Sequence, residues 1–495
     1  MKKYRVITVV LCFMLLFTSC SRKNDSGDNQ EVSKQNQTVE PTPQISVEPT
    51  PQITVEPTPP AAEQSGPKQI ITYFPNWNLD EKPGAEGGEV ASIPWDSVTY
   101  INHAFLGIVP LDDPEETSFD RRDAKKEPRT RFEIASTNIK FDYEDNTPSA
   151  VDPSMPRNHF AEYAVYSEKY PDVNIMISIG GWTKCGYFSE MATTTEGRSS
   201  FINSCTALID KYPWIDGIDI DWEYPGGSND GERLPEDDMD EGCPIWESGY
   251  SDNQNFASLC QGLREAFDTK YGVGVKKITA CASASTGWTL PNQNWKPIAP
   301  YLDYINMMTY DLAGIWDKKT GHASTYQGAA FAFIYLKEKG IDIAKINIGT
   351  PFYSTVFIIE GEIDGKHIVG APITNVKIAG DKFTQKELAQ FEAEAVSGYT
   401  TKLEDGKVVM GESFDKDGKG WHFAYDVKSK SSYMYNDDEN SEFYKYYLSY
   451  ESALSLQGKI DAIDKYNIAG IIIWESSEDT VNNARTKQLA ESLLN

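Results

Sequence analysis

The chain has 495 residues, 46 of them Lys or Arg and 74 Asp or Glu, for a formal charge of -28. So acidic a surface repels phosphate backbones and excludes nucleic acid as a natural partner. The length allows several domains or one large α/β barrel with additions. The 11 Trp and 27 Tyr hint at flat ligand-stacking surfaces, although aromatic cores would give the same count.

Residues 1–20 read as an export signal. MKKYR is a basic start, and VITVVLCFMLLF is an apolar run too short to span a membrane comfortably. Ending in LFTSC with a polar sequel, the segment resembles a bacterial lipoprotein signal, in which Cys20 becomes the lipidated first residue and anchors the chain to the membrane. Phe17 is bulkier than is usual three residues before such a cysteine. An uncleaved anchor and an ordinary secretory signal are the alternatives, and all three export the chain.

Residues 21–67 follow with VEPTPQIS, VEPTPQIT and VEPTPP. This repeat of Pro, Thr and Glu cannot bury enough apolar surface to fold, and its prolines favour an extended tether. Beyond Cys12 and Cys20 lie five cysteines: Cys185, Cys205, Cys243, Cys260 and Cys281. Export permits disulfides, but an odd number leaves at least one thiol unpaired. None forms a CxxC pair, and the five scattered His include no HExxH, so no catalytic metal is expected.

From residue 68 the pattern alternates between β-like runs and helical stretches. The expected strands are 69–74, 98–106, 173–181, 215–222, 277–283, 302–310, 345–353 and 468–474. Most are apolar on both sides, as parallel strands covered on both faces must be. Helical stretches such as EGRSSFINSCTALIDKY and NQNFASLCQGLREAFDTKY intervene. Eight strands with intervening helices predict a closed (β/α)8 TIM barrel over 68–495. The alternative is a doubly wound open sheet, but no GxGxxG follows the first strand to favour it. After the seventh strand, residues 354–447 are too long for a bare loop, so a small α+β insertion is expected there. It includes HIVGAPITNV, a helical TQKELAQFEAEA and GWHFAYDVKSKSSYMYN. Rising from the rim that carries the βα loops, it could wall a groove.

The run WIDGIDIDWEYPGG is the unusual one: Asp216, Asp219, Asp221 and Glu223 crowd a strand that otherwise reads as buried. An unpartnered buried carboxylate is costly, so such a row needs a reason. Side chains two apart share a face, so Asp219, Asp221 and Glu223 should point into the barrel, with Asp216 out of that parity. Glu223 then stands at the C-terminal rim, where barrels of this type place their chemistry. Close carboxylates raise one another's pKa and share protons, which keeps one carboxyl loaded for general-acid work. The same row could hold Ca²⁺ or Mg²⁺ if other segments supplied oxygens. Full solvation is disfavoured by Ile218, Ile220 and Trp222 alternating with the acids. PEDDMDEG (235–242) reads as a solvated loop rather than an ion site.

At these residues the chain resembles glycoside hydrolase family 18, the chitinase family, whose signature DGxDxDxE is complete as Asp216, Gly217, Asp219, Asp221 and Glu223. YFPNW on the first strand, SIGGW on the third, MTYD on the sixth and IIIW on the eighth extend the match over most of 68–493. The α+β insertion is that of the family's larger subgroup. The resemblance implies a retaining, substrate-assisted mechanism with no enzyme nucleophile. Glu223 is implied as the acid and base. Asp221 is implied to hold the substrate's acetamido N–H, with Asp219 sharing its proton, and Tyr310 to donate to the acetamido oxygen.

Asp311 is implied to bind near the same sugar, and Trp474 to floor its subsite. Tyr73, Phe105, Trp182, Tyr224 and Met308 match cleft-lining positions, with Thr183 and Thr309 beside them. Any of these could instead be ordinary barrel filling. Gly180 and Gly181 either relieve crowding beneath Trp182 or let backbone approach the sugar. One departure is FYSTV at the end of the seventh strand, where many members carry an Arg soon after the Tyr.

No cofactor is implied, and the chain is expected to act as a monomer on chitin or N-acetylglucosamine oligosaccharides. An endo-β-N-acetylglucosaminidase acting on glycoprotein or cell-wall glycans is the first alternative. A non-catalytic chitin-binding lectin is the second, and the presence of Glu223, Asp221 and Tyr310 argues against it.

Overall fold

Strands that are apolar on both faces leave no edge exposed only if they close on one another. The computed structural model describes residues 67–78, 88–112, 129–226, 251–287, 289–363, 368–374, 420–480 and 482–494, with backbone alone at 402–404 and 407–409. The first strands are β1 (Gln69–Pro75), β2 (Tyr100–Pro110), β3 (Phe132–Ser136), β4 (Asn174–Gly180), β5 (Gly217–Asp221), β6 (Lys277–Ser283), β7 (Tyr304–Met308) and β8 (Ile346–Pro351). After an excursion come β9 (Thr355–Ile358), β10 (Lys402–Glu404), β11 (Lys407–Val409), β12 (Trp421–Asp426), β13 (Ser431–Asn436) and β14 (Tyr446–Tyr450), and then β15 (Gly470–Trp474).

Eight of these pair in parallel in the order β1-β15-β8-β7-β6-β5-β4-β2, and the pairing of β1 with β2 closes the ring. The barrel expected from the sequence is therefore present, with every expected strand in its wall. The sequence analysis did not anticipate β3, which pairs antiparallel with the outer half of β2 from Leu106 to Pro110. Its middle residues are only partly covered, so it lacks the continuous apolar run that marks the wall strands.

Helices fill the outside. They are α1 (His159–Lys169), α2 (Phe188–Thr193), α3 (Thr195–Lys211), α4 (Ser251–Tyr271), α5 (Tyr326–Glu338), α6 (Ala453–Tyr466) and α7 (Ala484–Leu493). Asn158, Thr194, Thr325 and Ser452 cap α1, α3, α5 and α6, each accepting from a first-turn N–H that the helix cannot satisfy itself. Outward-facing residues of β5, Ile218 and Ile220, join a core shared with Phe201, Cys205, Phe256 and Cys260 of α3 and α4. Inward-facing residues form a second, smaller cluster that includes Tyr73, Phe105, Met176 and Cys281. Cys185, Cys205, Cys260 and Cys281 are buried. Cys243 and the 235–242 loop lie outside the described residues, as do Cys20, the tether and the expected helix at 384–395.

Between β8 and α6, strands β12, β13, β14 and β9 form a four-stranded antiparallel sheet. It is fastened to the loop after β7: the Ala323 N–H donates to Ser449 Oγ at 2.9 Å, and His322 lies between Tyr447 and Asp426. At its base, Lys459 of α6 pairs with Glu451, and both are fully buried. Thr350 of β8 donates to the same Glu451 oxygen at 2.8 Å. Lys459 also donates to Ser324 Oγ, which in turn donates to the Thr309 carbonyl at 2.6 Å. One buried charge pair thus stitches together the ends of β7 and β8. Removing one partner strands the other's charge, so Lys459→Met should lower stability by about 3–5 kcal/mol in chemical denaturation. A change below about 0.5 kcal/mol would show that the pair does not brace this corner.

Candidate active site

The acidic row takes its geometry from the register of β5. Ser178 of β4 and Thr279 of β6 stand level with Asp219 on either side. Both hydroxyls donate to it, Ser178 at 2.7 Å to Oδ2 and Thr279 to Oδ1. Tyr73 reaches across from β1 to Oδ2 at 3.0 Å, and Asn306 of β7 donates to Oδ1 at 3.2 Å. Asn347 of β8 donates to Asn306 Oδ1 at 3.0 Å, fixing the orientation of that amide. Burial raises the Asp219 pKa, and these four donors work against it. Asp216 falls outside the barrel parity, as expected. Its Oδ2 accepts the Ile175 N–H at 2.9 Å and ties the start of β5 to β4.

Asp221 and Glu223 behave as one unit. Burial pushes the Asp221 carboxyl well above its usual range, and the charges of Glu223 and Asp219 add to the shift. Glu223, half-buried at the rim, is pushed up to about 7 by burial and then by Asp311. Hydrogen bonds from Tyr224 and Asp221 pull it partly back. Proton sharing between Asp219 and Asp221 was the expectation. In this structure Asp219 is filled by its four donors, and Asp221 hydrogen-bonds to Glu223 instead. The Asp221–Glu223 pair therefore holds a proton at a pH where ordinary carboxyls have lost theirs. Cys185 steadies the rim backbone, its Sγ accepting the Glu223 N–H at 3.1 Å and donating to the Gly181 carbonyl at 2.9 Å.

Around this pair stand the expected partners. Burial raises the Tyr310 pKa, and the neighbouring Cys281, Asp221, Glu223 and Asp311 add to the shift. Gly349 makes room for that ring, since a Cβ there would lie 2.6 Å from it. Asp311 is exposed, in the left-handed region at φ 52, and accepts from Tyr353 Oη at 2.7 Å. Trp474 closes the end of β15 over an aromatic bed: Phe105 stacks on it at 5.6 Å and 18°, with Tyr73 at 5.6 Å and Trp77 at 6.3 Å. Met308 packs against the same cluster, and Trp182 is 43% exposed on the loop after β4 with Thr183 partly covered beside it.

Two expectations find other uses. Thr309 is buried, and its hydroxyl both donates to the Gly349 carbonyl and accepts the Gly349 N–H, each at 2.8 Å. Its side chain is committed to the wall rather than the cleft. Gly180 and Gly181 answer a packing need: a Cβ on Gly180 would sit 2.2 Å from the Asp221 carbonyl, and one on Gly181 2.5 Å from Phe105. Both residues have positive φ, and the Gly181 N–H donates to the Asp221 carbonyl at 2.9 Å. Four contributors went unnamed as site residues: Trp77, Tyr353, Cys185 and Cys281. Trp77 had a signal as the last residue of YFPNW, and Tyr353 stands in FYSTV.

Among the described residues one His/Asp cluster could in principle hold a metal: His103, Asp142 and His159, all buried. Asp142 Oδ1 lies 3.0 Å from a nitrogen of each histidine, and its Oδ2 accepts from Asn76 and Ser136. Burial would raise the Asp142 pKa, but the two histidines more than offset it and hold the carboxyl well below its usual range. Asn76 also donates to the Phe105 carbonyl at 3.2 Å. The cluster is thus a hydrogen-bonded brace behind the aromatic bed.

A model of glycosyl hydrolases family 18 matches residues 69–479. The chain belongs to that family. Within family 18, Chitinase ChiA of Flavobacterium johnsoniae is 26% identical over 478 residues, covering 88% of this chain and 28% of its own length. Chitinase A1 of Niallia circulans is 25% identical over 461 residues, 87% of this chain and 59% of its own. The chain therefore spans less than two thirds of either relative. A Group IV chitinase of Ostrinia furnacalis superposes with a TM-score of 0.65 at 21% identity, over 86% of this chain and 100% of that one, a likeness of fold.

Because Gly180 leaves no room beside Asp221, Gly180→Ala should displace the acidic strand end. We expect glycosidase activity to fall roughly a hundredfold, measured as kcat/KM. Retention within about twofold would show that this close approach does not set the position of the pair.

Proposed function

We propose that the chain is an exported chitinase that hydrolyses β-1,4 linkages between N-acetylglucosamine residues with retention of configuration. The observation that carries this reading is the Asp221–Glu223 pair, protonated near neutrality and set at the barrel mouth beside Tyr310 and the Trp474 bed. A sugar stacked on Trp474 presents its glycosidic oxygen to Glu223, which gives up its proton as the bond from C1 to that oxygen breaks. The substrate's own acetamido oxygen forms the new bond to C1, producing an oxazolinium ion. Asp221 accepts the acetamido N–H and its negative charge balances the ring, while Tyr310 donates to the acetamido oxygen and holds it on line. Glu223, now a carboxylate, takes a proton from water as that water attacks C1 and reopens the amide. Asp219 remains the fixed anion beneath, its charge spread over four donors.

Cys20 carries the lipid anchor in this reading, residues 21–67 hold the body away from the membrane, and the 354–447 insertion walls one side of the cleft. Acting as a monomer, the enzyme needs no cofactor. Relatives named chitinase support the choice of polymer. Product analysis on a chitin hexamer, beside N-glycan and peptidoglycan substrates, separates it from the endo-β-N-acetylglucosaminidase reading.

Glu223→Gln keeps the shape and loses the proton, so oligosaccharide binding should persist while kcat falls roughly a hundred- to ten-thousandfold. Near-normal turnover would remove Glu223 from the role of acid. In the wild type, kcat/KM should decline as pH rises through about 7, where Glu223 loses its proton. Fully deacetylated polymer, which lacks the internal nucleophile, should be barely cleaved, and efficient cleavage of it would rule out substrate assistance.

A further inference from the structure

The buried cluster behind the aromatic bed has a reach that the mechanism above does not use. Asp142 lies in the turn 140–144 that follows β3, and its side chain is closed off from solvent, so it cannot touch a substrate. Its Oδ1 lies 3.0 Å from His103 Nε2 and 3.0 Å from His159 Nδ1. Its Oδ2 accepts from Ser136 and, at 3.0 Å, from Asn76 Nδ2. We propose that Asp142 is a positioning residue for substrate binding: acting through Asn76, it sets Trp77 and Phe105 against Trp474 and so governs affinity for the sugar chain, leaving proton transfer at Glu223 alone. The proposal rests on the chitinase reading and adds to it a residue from outside the barrel wall.

The donors and acceptors around Asn76 lead to this role. A carboxylate only accepts, so Asp142 dictates that the nitrogen end of the Asn76 amide faces it. That nitrogen carries a second proton, which reaches the Phe105 carbonyl at 3.2 Å. The same carbonyl accepts the Thr137 hydroxyl at 2.7 Å, so both of its lone pairs are used. The Asn76 backbone is held as well: its N–H donates to the Ala104 carbonyl at 2.6 Å, and its carbonyl accepts from Asn138 Nδ2 at 2.9 Å. Asn76 is therefore fastened at once to the end of β2 and to the chain beyond β3, and Trp77 follows it directly. Trp77 stacks on Phe105 at 6.0 Å and 28°, and both rings meet Trp474, Phe105 at 5.6 Å and Trp77 at 6.3 Å. Two rings beside Trp474 thus take their places from one buried amide. A hydrogen bond to a charged acceptor is stronger than a neutral one, so the Asp142 carboxylate is what keeps that amide from turning over. Burial, Asp311, Tyr224 and Asp221 set the Glu223 proton, a different set of groups.

Glu223→Gln protein keeps the site without turning over, so calorimetry of chitin-pentamer binding to it reads affinity alone. In that protein Asp142→Asn should weaken binding roughly tenfold. Once Trp474→Ala has removed the ring that the other two support, the same change should cost less than about twofold. In active protein, Asp142→Asn should raise KM with kcat held within about threefold, and the fall of kcat/KM near pH 7 should stay where it is. Thr137→Val, isosteric at a half-buried position, takes one donor from the Phe105 carbonyl and should weaken binding roughly threefold. It carries the test if Asp142→Asn does not fold. Unchanged affinity in the folded variants overturns the proposal. So does an equal loss with and without Trp474, which would mean that Asp142 acts elsewhere. A displaced pH profile also overturns it, by moving the effect to the acid. In each of these cases wild-type hydrolysis of chitin oligomers leaves the functional reading standing. If the wild type cleaves no chitin oligomer at any pH, that reading fails and the proposal goes with it.

Discussion

Charge buried in an apolar barrel is the constraint from which the rest of the site follows. Taking a carboxylate out of water costs several kcal/mol unless donors replace the water. At Asp219 four side chains from four other strands do so, and their positions are dictated by register: Ser178 and Thr279 flank it, while Tyr73 and Asn306 arrive from across the barrel. Once that anion is fixed, a second negative charge two residues further along β5 is penalised by both burial and repulsion. Asp221 then shares a proton with Glu223 at the rim. The chemistry proposed for Glu223 is thus a consequence of where the barrel already holds a charge.

The scaffold around the pair is arranged to keep it there. Gly180 lets β4 approach the Asp221 carbonyl more closely than any side chain would allow, and Gly181 leaves room for the Phe105 ring. Cys185 receives the Glu223 N–H, and Tyr353 holds Asp311 at the opposite lip. The Asp142 network, remote from solvent, supports Asn76 and through it the backbone of Phe105, on which Trp474 stacks. The Lys459–Glu451 pair reaches Thr309, next to Tyr310, through Ser324.

Much of this was legible in the amino-acid pattern. The eight apolar runs marked the wall, and alternation within IDGIDIDW put Asp219 inward and Asp216 at the strand's start. What the pattern hid was of another kind. Which neighbour Asp221 turns to depends on Ser178, Thr279, Tyr73 and Asn306, donors brought together only by closure of the ring. Thr309 sits in a motif that suggests a sugar contact, yet the nearness of β8 claims its hydroxyl. Cys281 looked like one of several scattered cysteines because nothing local announces that β6 places it under an acid from β5. β3 escaped notice because its partly covered residues lack a continuous apolar run.

The claim at the centre is that the Asp221–Glu223 pair keeps a proton into the neutral range. Carbon-13 NMR of protein labelled at the glutamate side-chain carboxyl carbons tests it directly, with Glu223→Gln identifying the resonance. The account predicts a Glu223 titration midpoint near 7, clear of the exposed glutamates. A midpoint within the ordinary carboxyl range, about 4 to 5, would mean that the barrel does not load its acid, and would contradict the account.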